Sequence, residues 1–218
     1  MRTVDHPLNV DGVWCEILTT AMPGRPALFL DRDGVVVEEA EYLRRVEDIV
    51  MIPGAAQTIA AANRHGVAVV LVTNQAGIGR GYYGWADFQA VQTAILSALA
   101  AEGARIDAVY ASPHHPKGQG LFAHPNHPAR KPNPGMLLQG AADLAVDLGT
   151  SWLVGDKAID VEAAMRAGIA GALLVETGYG RSERARATGF ATATFEVRLG
   201  ASVADAMMLP ILMPQQVR

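Results

Sequence analysis

Asp31 and Asp33 stand one residue apart at the end of the apolar run Ala27-Leu-Phe-Leu30, and Gly34 follows them. In an extended chain residues i and i+2 point to one side, so both carboxylates face the crevice beyond the strand if that geometry persists. One can act as nucleophile or metal ligand while its neighbour moves a proton. Gly34 lets the backbone turn sharply straight after them. Asp-x-Asp-Gly also opens calcium loops, but those need further oxygen ligands and a glutamate at the twelfth position. Here Val35, Val36 and Val37 follow instead.

Three other segments offer matching chemistry. Val72-Thr73-Asn74-Gln75 ends an apolar run and leads into Gly77 and Gly79, offering a hydroxyl, amides and a turn whose N–H groups can cradle phosphate. Gly155-Asp156-Lys157, with Asp160 three residues on, ends another run, and Arg130-Lys131 precedes a helical pattern. An attacking carboxylate and a phosphate dianion repel, so such a site needs Mg²⁺ and a fixed cation. Asp31, Asp156 and Lys131 are the candidates for supplying these. Each segment alone has a plainer reading as turn, helix cap or solvated ion pair. Their shared position at strand ends is what favours phosphoryl transfer.

The elements that position these groups follow from periodicity. Apolar, β-branched runs at 27–30, 67–72, 106–111, 151–155 and 170–175 alternate with helical patterns at 54–65, 85–102, 134–148 and 158–167. Strands alternating with helices imply a doubly wound, Rossmann-like α/β domain: a parallel sheet with helices on both faces. Ligands in such sheets bind beyond the carboxyl ends of the strands. The 191–218 tail is read as an edge strand over 192–199 and a short helix over 201–209, packed on a main domain of 26–190. Residues 1–25 are read as an N-terminal extension.

With 218 residues, half of them hydrophobic and 18% charged, the chain can bury one full core. A net charge of −4 without a basic run argues against a general nucleic-acid or membrane-surface partner. Cys15 is the single cysteine, which excludes an internal disulfide framework and fits the cytoplasm. The first twenty residues lack the pattern of a secretory signal, and no stretch reaches the ~20 apolar residues of a membrane span. The Pro/Gly/His-rich segment 112–135 is the one long irregular stretch, a length usually tied to function.

These motifs resemble those of the haloacid dehalogenase superfamily over about residues 27–180. Phe-Leu-Asp31-Arg-Asp33-Gly34, Val-Thr73-Asn74-Gln75-x-Gly-Ile, Pro113-His114-His115-Pro116, Arg130-Lys131-Pro-x-Pro-Gly-Met and Val-Gly-Asp156-Lys157 are similar to the heptose 1,7-bisphosphate phosphatase and histidinol-phosphatase group. The resemblance implies Asp31 as nucleophile, Asp33 as acid and base, Thr73 and Lys131 as holders of the phosphoryl group, and Arg130 in substrate recognition. It places Mg²⁺ on Asp31, Asp156 and the main-chain carbonyl of Asp33. Glu39, Tyr42, Asn74, Gln75 and Lys157 are further candidates for substrate contact, and Asp160 for support.

A small phosphomonoester, with a sugar bisphosphate favoured, is the expected substrate; histidinol phosphate is the rival within the same chemistry. A phosphoacceptor signalling domain is the alternative of another class. Only 40 positions separate Asp33 from Thr73 and 58 separate Thr73 from Lys131, so no large cap is expected. Two departures stand out. The group's zinc-binding cysteines are replaced, leaving Ser112, His114, His127 and Ala129, so a structural zinc is not expected. After the nucleophile, Val37 and Glu41 replace the group's usual residues. A monomer or weak homodimer is expected.

Overall fold

The computed structural model describes residues 7–21 and 23–213. Seven strands form one sheet: β1 (Trp14–Ile17), β2 (Ala27–Leu30), β3 (Ala68–Asn74), β4 (Ala108–Ser112), β5 (Trp152–Gly155), β6 (Gly171–Val175) and β7 (Glu196–Gly200). Their order is β1-β4-β3-β2-β5-β6-β7, with only β1 antiparallel to its neighbour. The helices are α1 (Ala55–Arg64), α2 (Ala76–Gly79, a single turn), α3 (Trp85–Ala101), α4 (Gly135–Leu144), α5 (Ala158–Ala167) and α6 (Gly180–Thr188).

Strands β2, β4, β5 and β6 are buried at every residue, as an apolar run must be when helices cover both faces. The pleat sorts their side chains into two cores. Leu28, Leu30, Val69, Leu71 and Val154 pack with Ile59 of α1 and with Phe88, Val91 and Ile95 of α3. Phe29, Val70, Val72, Tyr110 and Leu153 pack on the other face with Leu137 of α4 and Val161 of α5.

The chain steps from β2 through β3 to β4 on one side, then returns to place β5 on the other side of β2. Residues following β2 and β5 therefore meet at the point where the winding reverses, where α/β sheets leave a crevice. The register sets Leu30 beside both Leu71 and Val154, so these three strands end nearly level.

The five strands and four helices read from periodicity are all present, with ends shifted by a few residues, and β7 and a 3₁₀ segment at Val203–Met208 occupy the tail. Besides the single turn α2, two labelled elements lie outside that reading. Helix α6 has the polar sequence Gly-Arg-Ser-Glu-Arg-Ala-Arg-Ala-Thr with only Gly180 and Ala187 buried, so it carries no apolar stripe to detect. Strand β1 lies within the stretch read as an extension. It pairs Trp14 with Ala111 and Ile17 with Ala108, and seals the β4 edge of the sheet.

Trp14 anchors that edge, its ring centroid 5.6 Å from Trp85 and 5.2 Å from Phe88. Removing so large a buried ring should cost about 3–5 kcal/mol. Trp14→Ala is therefore expected to lower the unfolding free energy by that amount, seen as a lower urea midpoint with an unchanged m-value. A loss below ~1 kcal/mol would mean that the strand adds little to the domain.

Candidate active site

The site lies at the level ends of β2, β3 and β5, around a cavity of about 300 Å³ lined by Asp31, Asp33, Glu39, Tyr42, Thr73, Asn74, Gln75, Arg130, Lys131, Lys157, Asp160 and Tyr179 among others. That volume matches a small metabolite. The Asp31 N–H donates to Val154 O at 3.0 Å, carrying the β2–β5 ladder one residue past the strand. Its carboxylate is therefore set on the rigid sheet rather than on a loose loop.

Lys131 sits against it, 1% exposed. Its Nζ is 3.0 Å from Asp31 Oδ2, 2.7 Å from Asp160 Oδ1 and 2.8 Å from Val72 O, so its three hydrogens meet three acceptors. Burial works against the ammonium charge, but Asp160 and Asp31 outweigh it and hold the lysine above its ordinary value. Asn74 fixes the main chain of the same residue: its amide donates to Lys131 O at 3.0 Å and accepts from Lys131 N at 3.1 Å. Asn74, a candidate for substrate contact, thus spends its amide on tying the lysine's loop to β3.

Asp156 follows β5 and is fully buried. Its Oδ2 accepts from Tyr179 N at 2.9 Å, and the backbone closes around it at two glycines. Gly34 (φ 81°) and Gly178 (φ 63°) both have the left-handed backbone that favours glycine. A Cβ at Gly34 would lie 2.6 Å from Asp156 Oδ2, and one at Gly178 only 2.2 Å from it. The Thr177 hydroxyl donates to Gly34 O at 2.6 Å and locks the two turns together.

Asp156 Oδ1 is buried without a hydrogen-bond partner. Ligand atoms of Asp31, Asp156 and Asp160 all lie within 4.8 Å of one another, the one such group among the described residues. Burial, then the charges of Asp31 and Asp160, push the Asp156 carboxyl up to about 8. Four carboxyl groups, Asp31, Asp156, Asp160 and Glu39, stand beside two ammonium groups, Lys131 and Lys157, so full ionisation of the carboxyls would leave a deficit of positive charge. A divalent cation fits this deficit, and Oδ1 of Asp156 is the atom left free to hold it.

Asp33 lines the cavity, yet its carboxylate is turned to Arg32 and Gln75. Arg32 Nη2 lies 3.0 Å from both of its oxygens and Nε 3.2 Å from Oδ1, while Gln75 Nε2 donates to Oδ2 at 2.9 Å. The carboxylate that joins Asp31 and Asp156 in that cluster is Asp160, not Asp33. Asp160 also accepts from Lys157 N at 3.0 Å, capping α5. Lys157 Nζ meets Glu39 Oε2 at 2.8 Å and stands 4.4 Å from the Tyr179 ring centroid. Burial opposes its charge, but Asp156, Asp31 and Glu39 raise it.

Arg130 also lines the cavity, and its Nη1 donates to His114 O at 2.6 Å. Tyr42 has a left-handed backbone (φ 62°), and its hydroxyl accepts from Arg80 at 2.5 Å. Arg32, Tyr83, Thr177, Gly178 and Tyr179 were not among the candidates read from the sequence. Strand alternation points Arg32 away from the crevice, and its guanidinium does lie over Phe88, 5.4 Å from the ring centroid. Only the fold reveals that its head returns to Asp33.

In the 112–135 loop His114 and His127 stack in parallel, 3.5 Å apart, with His124 edge-on 5.2 Å from His127. Ser112 Oγ lies 3.3 Å from His114 Nδ1, and the Ala129 N–H donates to His127 Nδ1 at 3.1 Å.

The haloacid dehalogenase-hydrolase-like family profile matches residues 128–199. The chain is 47% identical over 173 residues, 78% of this chain and 80% of the relative, to the D-glycero-beta-D-manno-heptose-1,7-bisphosphate 7-phosphatase of Mesorhizobium japonicum. It is 37% identical over 153 residues (70% and 80%) to the enzyme of that name from Escherichia coli. The crystal structure of D,D-heptose 1,7-bisphosphate phosphatase from B. bronchiseptica, complexed with magnesium and phosphate, superposes with a TM-score of 0.71 at 34% identity, covering 84% of this chain and 98% of that one. This chain belongs to the haloacid dehalogenase-like phosphatases. It is a phosphoric monoester hydrolase, of the same group as the heptose-bisphosphate enzymes. No helix of the described residues is long and apolar enough to cross a membrane.

One consequence concerns the loop of this phosphatase. Burial, then the neighbouring His127 and His124, push His114 down to about 4. The folded state therefore takes up a proton later than the unfolded chain, whose histidines titrate near 6.5. Stability from this site is full above that value and is lost as pH falls from about 6.5 toward 4. Urea midpoints measured at pH 7.5 and 5 should fall more in the wild type than in His114→Phe; equal falls would refute it.

Proposed function

We propose that this phosphatase hydrolyses a heptose 1,7-bisphosphate through an aspartyl-phosphate on Asp31, with Mg²⁺ bound beside it. One observation carries the reading: Asp31, held at the sheet edge, shares a buried cluster with the fixed cation Lys131 and with Asp156, whose Oδ1 has no partner. The names of the relatives support the substrate, and the magnesium and phosphate bound to the B. bronchiseptica enzyme support the ion.

An oxygen of Asp31 attacks phosphorus as the ester bond to the sugar breaks, and Asp33 delivers a proton to the departing alkoxide. Water then attacks the acyl phosphate, giving its proton to Asp33, and inorganic phosphate leaves with Asp31 restored. Thr73 donates to a phosphoryl oxygen and Lys131 offsets the charge of the transferring group. Mg²⁺, held by Asp31, Asp156 and the main-chain carbonyl of Asp33, would reduce the repulsion between nucleophile and dianion. Asp160 holds Lys131 in place and completes the carboxylate cluster.

The two walls differ in charge. Arg130 suits the second phosphate, while Glu39, Tyr42 and Tyr179 suit sugar hydroxyls, and Lys157 is shared between Glu39 and the substrate side. Among the described residues no cap closes the site, so we take the 112–135 loop carrying Arg130 as its main specificity element. That loop is proposed to hold without zinc, since two of the group's ligand positions are Ser112 and Ala129. His114 and His127 stack instead. We take the working form to be a cytoplasmic monomer or weak homodimer, with the lone Cys15 in accord with a reducing compartment.

Asp31→Asn should lose turnover of heptose 1,7-bisphosphate by at least ~10⁴-fold, the scale on which removing a nucleophile acts. Retained turnover, or ¹⁸O from water bypassing the protein carboxylate in a single turnover, would overturn the covalent route. EDTA should abolish activity and Mg²⁺ restore it, and Asp156→Asn should raise the Mg²⁺ needed by ~100-fold or more. In a screen ranked by kcat/KM that includes histidinol phosphate, Arg130→Ala should penalise bisphosphates over monophosphates by ~10-fold or more. Unchanged ratios would remove Arg130 from recognition.

A further inference from the structure

Gln75 follows β3 and is 3% exposed, and every hydrogen of its side-chain amide is committed inside the protein. One goes to Asp33 Oδ2 at 2.9 Å and the other to Thr73 Oγ1 at 2.8 Å. Its Oε1 accepts from the Tyr83 hydroxyl at 2.5 Å. Tyr83 is largely buried, which pushes its phenol up and keeps it a donor. The opposite orientation of the amide would set Oε1 against the carboxylate of Asp33, acceptor against acceptor. Asp33 therefore selects the orientation, and the Tyr83 hydroxyl holds it by donating to Oε1.

Two consequences follow for the groups that Gln75 touches. Thr73 Oγ1 accepts from Gln75, and no other partner holds it among the described residues, so its own hydrogen is directed into the cavity it lines. Asp33 is gripped from one side by Arg32 and from the other by Gln75, which fixes the plane of its carboxylate beside the nucleophile.

We infer that Gln75 is a positioning residue rather than a substrate contact: its amide, held by Tyr83, couples the proton-transfer residue Asp33 to the phosphoryl-holding residue Thr73. The inference rests on the roles proposed above for Asp33 and Thr73. It assigns Gln75 no contact with the sugar, and it makes the Tyr83 hydroxyl a determinant of turnover at one remove.

The test uses leaving groups of different basicity. A sugar alkoxide needs a proton to depart, whereas p-nitrophenolate does not, so in the phosphoryl-transfer step that kcat/KM reports, a fault in the placing of Asp33 weighs on the first ester, while hydrolysis of the acyl phosphate is common to both and does not enter that ratio. Gln75→Met, close in volume, is expected to lower kcat/KM on heptose 1,7-bisphosphate by ~30-fold or more and on p-nitrophenyl phosphate by at least fivefold less, a part of the ~10²–10⁴-fold that general acid–base catalysis supplies. If Gln75→Met melts early, Tyr83→Phe carries the same test, with the same sense and a smaller loss of ~3-fold or more. Equal losses on the two esters, or none, would overturn the inference. Asp33→Asn run alongside separates the cases. If it discriminates between the esters and Gln75→Met does not, the coupling is wrong. If it does not discriminate, the role of Asp33 falls and the inference with it.

Discussion

Lys131 brings a full positive charge into the interior, where an unpaired ammonium would be several kcal/mol unfavourable. It is held there because Asp31 and Asp160 approach from two sides and Val72 O takes the remaining hydrogen. The neighbouring arrangement follows from that requirement. Asp160 must reach back from the first turn of α5, Asn74 must pin the lysine's main chain, and β2 and β5 must end level so that Asp31 and Asp156 face the same point. A cluster so dense in carboxylates is stable only with compensating cations, and the same imbalance creates a site for a divalent ion beside a nucleophile.

Close backbone approach is the second constraint. Asp156 is wrapped by two turns that come nearer than any side chain would permit, with Thr177 closing one on the other. That closure leaves one oxygen occupied by Tyr179 N and the other unpartnered, dividing the carboxylate into a structural and a functional half. Asp33 has donors on both oxygens, from Arg32 and Gln75. The fold thus gives two aspartates following adjacent strands opposite surroundings, one starved of partners and one saturated with them.

Much of this was legible in the chain. Alternating apolar runs and helical patterns point to the sheet, and the rule that ligands bind beyond strand ends singles out Asp31, Thr73, Asn74, the segment after Tyr110 and Asp156, while Lys131 stands out as a cation just before a helix. Strand β1 and helix α6 escaped because neither has a strong period: β1 is four residues at an edge, and α6 buries only Gly180 and Ala187. Gln75 and Asn74 were read as candidates for substrate contact. The structure instead spends their amides on Asp33, Thr73 and the backbone of Lys131.

Residue type and spacing along the chain determined the class of chemistry, the parallel sheet and the members of the buried charge cluster, since local periodicity and strand-end position are properties of neighbours in sequence. Tertiary structure alone decided which oxygen of each carboxylate is free, which amide faces inward and that Arg32 turns back to Asp33. Those outcomes depend on contacts across tens of residues, such as Gly178 against Asp156 and Asn74 against Lys131, for which hydrogen-bond geometry leaves no margin beyond a few tenths of an ångström.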